Sequence, residues 1–173
     1  MRRIRATLLI LALTLAGSWG IATADPEPAP AAPAQPLALI TLTTIPNGWQ
    51  ERVDLRPVLE VYADGHAVKK PDAAAADRSP QTPPQQLTGS VGNDVLQAAL
   101  TEIKALGAVD LGTPSVSDQG TQIIDLMPQA PDQDVHLIVY APEVTDGLST
   151  EQQGARKRFA DLYRKLLDAF VKD

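Results

Sequence analysis

The sequence predicts an α+β domain: an antiparallel sheet of about five strands, in the order β-ββ-α-ββ-α, with two helices packed on one face. Three observations carry this expectation. Short runs rich in Val, Ile, Leu and Thr alternate apolar with polar or small positions, as half-buried strands do. Two longer stretches repeat apolar residues at helical spacing. An Asp-Gly pair joins two of the strand-like runs at hairpin distance, and all sequence-adjacent strands can pair antiparallel.

The first 36 residues stand apart from this pattern. Residues 1–24 read MRRIRATLLILALTLAGSWGIATA. Arg2, Arg3 and Arg5 precede an uncharged leucine-rich run, and Ala22-Thr23-Ala24 is the small-x-small sequence that signal peptidase reads. A cleaved export signal is expected, with the cut between Ala24 and Asp25; an uncleaved N-terminal anchor is the other reading. The run is short for a transmembrane span, which needs about 20 apolar residues, and no such span is expected after signal removal. Residues 25–36, DPEPAPAAPAQP, alternate proline with alanine and read as a disordered, extended linker. Residues 37–173 are expected to form a single domain. The protein is thus expected outside the cytoplasm, either held in the cell wall or released.

Within the domain the elements follow in order. Leu37–Ile45 reads as the first strand, and Pro46-Asn47-Gly48 ends it. Pro57–Ala63 and His66–Lys70 read as a hairpin around Asp64-Gly65. Placing Asp64 and Gly65 at the two centres of a type I′ turn puts Val61 opposite Val68 and Glu60 opposite Lys69. His66 is then a turn-side residue rather than a site. Residues 71–88, PDAAAADRSPQTPPQQLT, carry four prolines and read as a long flexible surface loop. Residues 90–106 form the first helix. Its stripe is Val95, Leu96, Ala99, Leu100, Ile103 and Leu106; Asn93 is its expected N-cap and Gly107 its left-handed C-cap. Thr121–Met127 and Val135–Ala141 are the fourth and fifth strands. The last helix opens with a capping box at Ser149 and Gln152 and carries Phe159, Leu162, Tyr163, Leu166, Leu167 and Phe170 on one stripe. Its polar face mixes both signs, as in Lys157–Asp161 and Arg164–Asp168, which suits docking on a sheet better than lying on a membrane.

Composition narrows function. The chain has 15 basic and 21 acidic residues. Removing residues 1–24 takes away three arginines and no acid, leaving 12 basic against 21 acidic, a net charge of −9. That balance opposes nucleic acid and anionic lipid, both of which bind through positive charge. There is no cysteine, so disulfides, lipid acylation, thiol catalysis and thiolate metal sites are excluded.

Catalytic constellations are not legible. The two histidines, His66 and His136, lie too far apart for a zinc-helix spacing. No serine sits in a Gly-x-Ser-x-Gly elbow. Val116-Ser117-Asp118-Gln119-Gly120 reads as a tight turn entering the fourth strand. The expectation is therefore no enzyme, no catalytic residue, no metal and no cofactor. The candidate ligand-binding residues are Trp49, Tyr62, His136 and Tyr140, rings with polar tips near strand ends or on the outer sheet face. Trp49 also suits the rim of the core.

A strand leading into V-Y-A-D-G-H, a helix ending A-L-G-A-V-D-L-G, the segment T-P-S-V-S-D-Q-G-T-Q, the strand V-H-L-I-V-Y-A and a helix carrying A-R-K-R-F-A-D-L follow in sequence. This order resembles small exported proteins of actinobacteria, mycobacteria included, that have no assigned function. The resemblance covers about residues 37–170 and rests on order and spacing. Similar members often carry a lipobox cysteine, and this chain has none. The resemblance implies an exported domain and supplies no functional residue. The expected function is a binding or interaction module of the cell envelope or medium, its partner an unknown protein or envelope ligand. The rival readings are an envelope hydrolase using His136 or His66, and an inhibitor of an exogenous hydrolase that inserts the 71–88 loop.

Overall fold

The structure is a computed structural model that describes residues 36–49 and 51–173. The expected export signal and all of the linker except Pro36 lie outside the described residues. The rest is α+β: one antiparallel sheet with two helices on one of its faces.

The sheet has seven strands rather than five, in the order β6-β5-β1-β2-β3-β4-β7. They are β1 (Ile40–Ile45), β2 (Leu59–Val61), β3 (His66–Lys69), β4 (Leu87–Val91), β5 (Thr121–Leu126), β6 (Val135–Tyr140) and β7 (Phe170–Lys172). The helices are α1 (Asn93–Leu106), between β4 and β5, and α2 (Thr150–Asp168), between β6 and β7. Each helix carries the chain from one side of the sheet to the other, so β5 pairs with β1 and β7 pairs with β4.

The two unexpected strands depend on each other. β4 reads Leu-Thr-Gly-Ser-Val, and its central glycine hides the strand pattern. Its residues 87 and 88 belonged to the expected loop. Phe170 continues the apolar stripe of α2 and so reads as helix. The helix instead stops at Asp168, where Lys69 Nζ donates to the Leu167 carbonyl at 3.0 Å. Phe170 then enters β7 opposite Val91 and lays its ring over Gly89; a Cβ there would lie 2.7 Å from the ring. The missing side chain is what lets β7 close against β4.

The hairpin register also differs from the expected one by a residue. Leu59 faces Lys69, Glu60 faces Val68 and Val61 faces Ala67. A type I′ turn needs positive φ at both centres, and only Gly65 has it, at 86°. The loop is three residues long instead. Gly65 N–H donates to the Tyr62 carbonyl at 2.9 Å, and Tyr62 N–H to the His66 carbonyl at 2.8 Å, a type I turn closed by a glycine bulge. Leu59, Val61 and Ala67 thereby face the helices, and Val68 turns to the other side. The ion pair expected between Glu60 and Lys69 forms between Glu60 and Lys70, at 2.8 Å.

The helices pack their expected stripes. Leu96, Ala99, Ile103 and Leu106 of α1 and Phe159, Leu162, Tyr163 and Leu166 of α2 join Ile40, Leu42, Leu59, Val61, Ile124, Leu126, Leu137 and Val139 in one core. The capping box of α2 is complete: Gln152 N–H donates to Ser149 Oγ and Ser149 N–H to Gln152 Oε1. α1 departs from expectation at both ends. Gly92, not Asn93, is its N-cap. Gly107 stays right-handed, with φ −61°. A Cβ on Gly107 would lie 2.9 Å from Val135 Cγ1, so close packing on β6 is what uses the glycine.

Two buried arginines hold the irregular segments. Arg78 donates to the carbonyls of Ala73, Thr82 and Asp54 and pairs with the Asp54 carboxylate at 2.8 Å, tying residues 71–86 to the loop after β1. Arg156, 4% exposed, has no carboxylate partner among the described residues. Its Nη2 donates to the Tyr140 and Ala141 carbonyls at 2.7 and 2.5 Å, and its Nη1 to those of Gly112 and Leu111 at 3.3 and 3.4 Å. Burial pushes its pKa below that of an ordinary arginine.

Candidate functional site

Among the described residues the helices cover one face of the sheet and leave the other bare. Strand side chains alternate between faces. With Ile40, Leu42, Ile124 and Leu137 under the helices, Thr41, Ile123, Asp125, His136 and Ile138 stand on the bare face, joined by Glu60, Val68 and His66.

One line of cross-strand neighbours on this face runs His136, Asp125, Thr41, Glu60, Val68. Its left half is hydrogen-bonded. His136 Nδ1 lies 2.7 Å from Asp125 Oδ1, and Thr41 Oγ1 donates to Asp125 Oδ2 at 3.3 Å. The carboxylate can only accept, so Nδ1 carries the proton, and on a neutral ring Nε2 is left as a free acceptor.

Beside this line, at the β2–β3 hairpin end, the bare face sinks into an open hollow of about 850 Å³. Leu39, Tyr62, Val68 and Met127 make its apolar floor, and Leu37 and Pro128 stand at its margin. Glu60, Asp64 and His66 bring polar groups to it. The Tyr62 and His66 rings are tilted at 45° with centroids 5.3 Å apart. Asp64 Oδ1 accepts from His66 N–H at 3.0 Å, which fixes the turn. Burial, and then the nearby Glu60 carboxylate, push the Tyr62 hydroxyl above the usual tyrosine range. The size falls within the roughly 300–1,000 Å³ of small-ligand sites, and an apolar floor with a few polar groups is their usual make-up.

Two smaller concavities are less suited. A groove of about 350 Å³ between α1 and α2 is walled by the Arg158–Glu102 ion pair, at 2.8 Å, and aliphatic stems. Another of about 340 Å³ touches Asp54, Lys70 and Arg78, whose charges already neutralise one another or Glu60.

The four candidate residues do not converge. Tyr62 lines the hollow. His136 stands three strands away, on β6, bonded to Asp125. Tyr140 is at the far end of β6; its hydroxyl accepts from Gln119 N–H at 3.2 Å and donates to the Val116 carbonyl at 3.1 Å. Trp49 is buried beyond the C-terminal end of β1, with the Arg52 guanidinium 3.7 Å from its ring centroid and Arg78 at 5.4 Å. Both arginines converge on Asp54, and their hydrogen bonds hold its carboxyl well below the usual carboxylate range. That cluster locks two loops together. The two imidazoles lie four strands apart, each beside its own aspartate. Among the described residues no group of three or more His, Asp or Glu side chains is placed to hold a metal.

Sequence reasoning named Tyr62 but missed the rest of the hollow's floor. Leu39, Val68 and Met127 each read as part of an alternating strand, and with the type I′ register Val68 belonged to the covered face. The available signal was Gly65 alone: a three-residue loop with one positive φ pairs Tyr62 with His66 and sends Val68 outward. No protein-family model, no curated protein and no solved structure matches this chain.

Proposed function

We propose that the protein is an exported, non-enzymatic binding module of the cell envelope or medium, and that it takes its ligand in the hollow on the bare sheet face. The observation that carries the reading is the pairing, on that face, of an apolar floor with the Tyr62 and His66 rings and two carboxylates. The signal-like first 24 residues and the proline-alanine spacer support export and a reach away from a surface. Asp64 disfavours an anionic ligand, while Glu60 is already paired with Lys70; an apolar body with a neutral or cationic group suits the lining.

The test is retention of envelope and culture-medium fractions on immobilised residues 25–173. Material held by the natural chain should be lost from a Leu37→Glu/His66→Ala variant, whose two positions are exposed and leave the core intact. No retention of any fraction would count heavily against the module. Retention that survives the double substitution moves the ligand away from the hollow.

The Asp125–His136 bond favours a second reading, an envelope hydrolase in which His136 Nε2 serves as the base. A turnover that disappears in a His66→Ala/His136→Ala variant would put this reading first.

A further inference from the structure

The charges around the hollow select among the ligands its floor would admit. No lysine or arginine is among its lining residues. Tyr62 and His66 share the bare side of the β2–β3 hairpin and are joined across it by the backbone bond from Tyr62 N–H to the His66 carbonyl. Asp64 stands between them in the turn. Its carboxylate forms no ion pair among the described residues, and only Oδ1 is used, accepting from His66 N–H. Glu60, two residues before Tyr62 on the same side, gives Oε2 to Lys70 at 2.8 Å and keeps Oε1 without a partner among the described residues. The other half of the bare face offers a contrast. There the Asp125 carboxylate bonds both His136 and Thr41, and it stands outside the hollow.

We propose that the ligand of the hollow is a small amphiphilic amine, with its aliphatic stem on Leu39, Val68 and Met127 and its ammonium against the Asp64 carboxylate beside the Tyr62 ring. This rests on the hollow being the ligand site and adds the charge of what it takes. An anion meets Asp64 with no cation in the lining to offset it. A neutral aliphatic ligand uses the floor and leaves the carboxylate and the ring idle. A protonated amine uses all three, because an ammonium is drawn both to a carboxylate and to the face of an aromatic ring. Asp64 is exposed, and an exposed ion pair is weak by itself; the ring and the floor supply the rest. With residues 1–24 removed the chain carries a net charge of −9, which draws cations toward it.

Hexylammonium, hexanol and hexanoate share one apolar stem and differ in the charge of the head. NMR titration of residues 25–173 with each, at neutral pH, tests the assignment. Hexylammonium should shift the amides of Tyr62, His66 and Val68 and bind about tenfold more tightly than hexanol, the scale of one cation–ring contact. Hexanoate should bind least. Asp64→Asn keeps an oxygen for the His66 N–H and removes the charge; it should lower the preference for hexylammonium over hexanol and leave hexanol binding unchanged. Tyr62→Leu, which keeps the floor apolar, should lower the same preference. Glu143→Gln, an exposed acid beyond the far end of β6, should not. Hexanol bound as tightly as hexylammonium at the same amides overturns the amine and leaves the hollow as a site, and tighter binding of hexanoate does the same. Hexylammonium shifts as large at His136 as at His66, or a preference indifferent to both hollow variants, reduce the effect to general charge attraction and overturn the proposal. If none of the three probes binds, the proposal falls, while retention of envelope material that is lost in Leu37→Glu/His66→Ala still upholds the hollow itself.

Discussion

The two faces of the sheet are written by the same strands and have opposite characters. In β1, Ile40 and Leu42 are fully buried under the helices, while Thr41 between them turns to the bare side and bonds Asp125. In β6, Leu137 and Val139 are buried, and His136 and Ile138 are open to solvent. A period of two lets one segment carry a core and a binding surface at once. Stability should therefore be concentrated on the covered face, and recognition should be free to vary on the other.

The sharpest way to break this contrast is to delete equal kinds of side chain from each side. Phe159 in α2 is fully buried in the core. Phe159→Ala should cost about 3–5 kcal/mol, the transfer loss plus an unfilled cavity. Ile138→Ala should stay within about 0.5 kcal/mol, as exposed substitutions do. Urea denaturation of both variants measures the difference; comparable losses would mean that the bare face is covered in the folded protein.

The next effect is a pH dependence led by the covered face, with Tyr62 on the bare face shifted in the same direction. Burial pushes the Tyr163 hydroxyl up to about 12 from an ordinary 10.0, against the opposing influence of its 2.8 Å bond to Thr44. Between these values the unfolded chain loses the proton while the folded chain keeps it. Stability is thus fully present below pH 10 and falls as pH rises toward 12. At about 1.36 kcal/mol per unit, up to about 2–3 kcal/mol is at stake. Denaturation curves across the alkaline range should show this slope, and Tyr163→Phe should flatten it while costing about 1 kcal/mol at neutral pH from the lost hydrogen bond.

At the border of the covered face, Gly89→Ala should cost about 1–3 kcal/mol by overpacking against the Val171 carbonyl and the Phe170 ring of β7. The loss should be local, with faster hydrogen exchange at residues 170–173 and little change in β1 or β5. Uniform loss of protection would show that β7 is integral to the cooperative core.

Legibility in the sequence divides along the same line. Periodicity revealed both helices, the hairpins and the buried stripe, because a covered face demands large apolar residues at fixed intervals. β4 and β7 escaped because their bond is a glycine under a phenylalanine, a contact between positions 89 and 170 with no local trace. The hollow escaped for a related reason. Asp64-Gly65 marks a hairpin in either of two loops, and the one-residue difference decides whether Val68 faces the helices or floors a site. The Trp49 cluster needed Arg78, which lies in a proline-rich stretch that reads as loop; nothing nearby announces that its guanidinium is buried against Asp54. The Asp125–His136 pair needed the β5–β6 register, which only the assembled sheet supplies.

The smallest energetic effect concerns that pair and the bare face. Asp125 is bonded to two side chains, yet His136 is exposed, so Asp125→Asn should change stability by less than about 1 kcal/mol. What should change is where the ring proton sits. In the natural chain the carboxylate accepts from Nδ1, which holds the neutral imidazole in the Nδ1–H form. An asparagine amide can offer either a donor or an acceptor, so that constraint disappears and the Nε2–H form should gain population. Nitrogen-15 shifts of His136, recorded at a pH where the ring is neutral, read the two forms directly. An unchanged tautomer would mean that Asp125 does not orient the ring, and the hydrolase reading would lose the observation on which it stands.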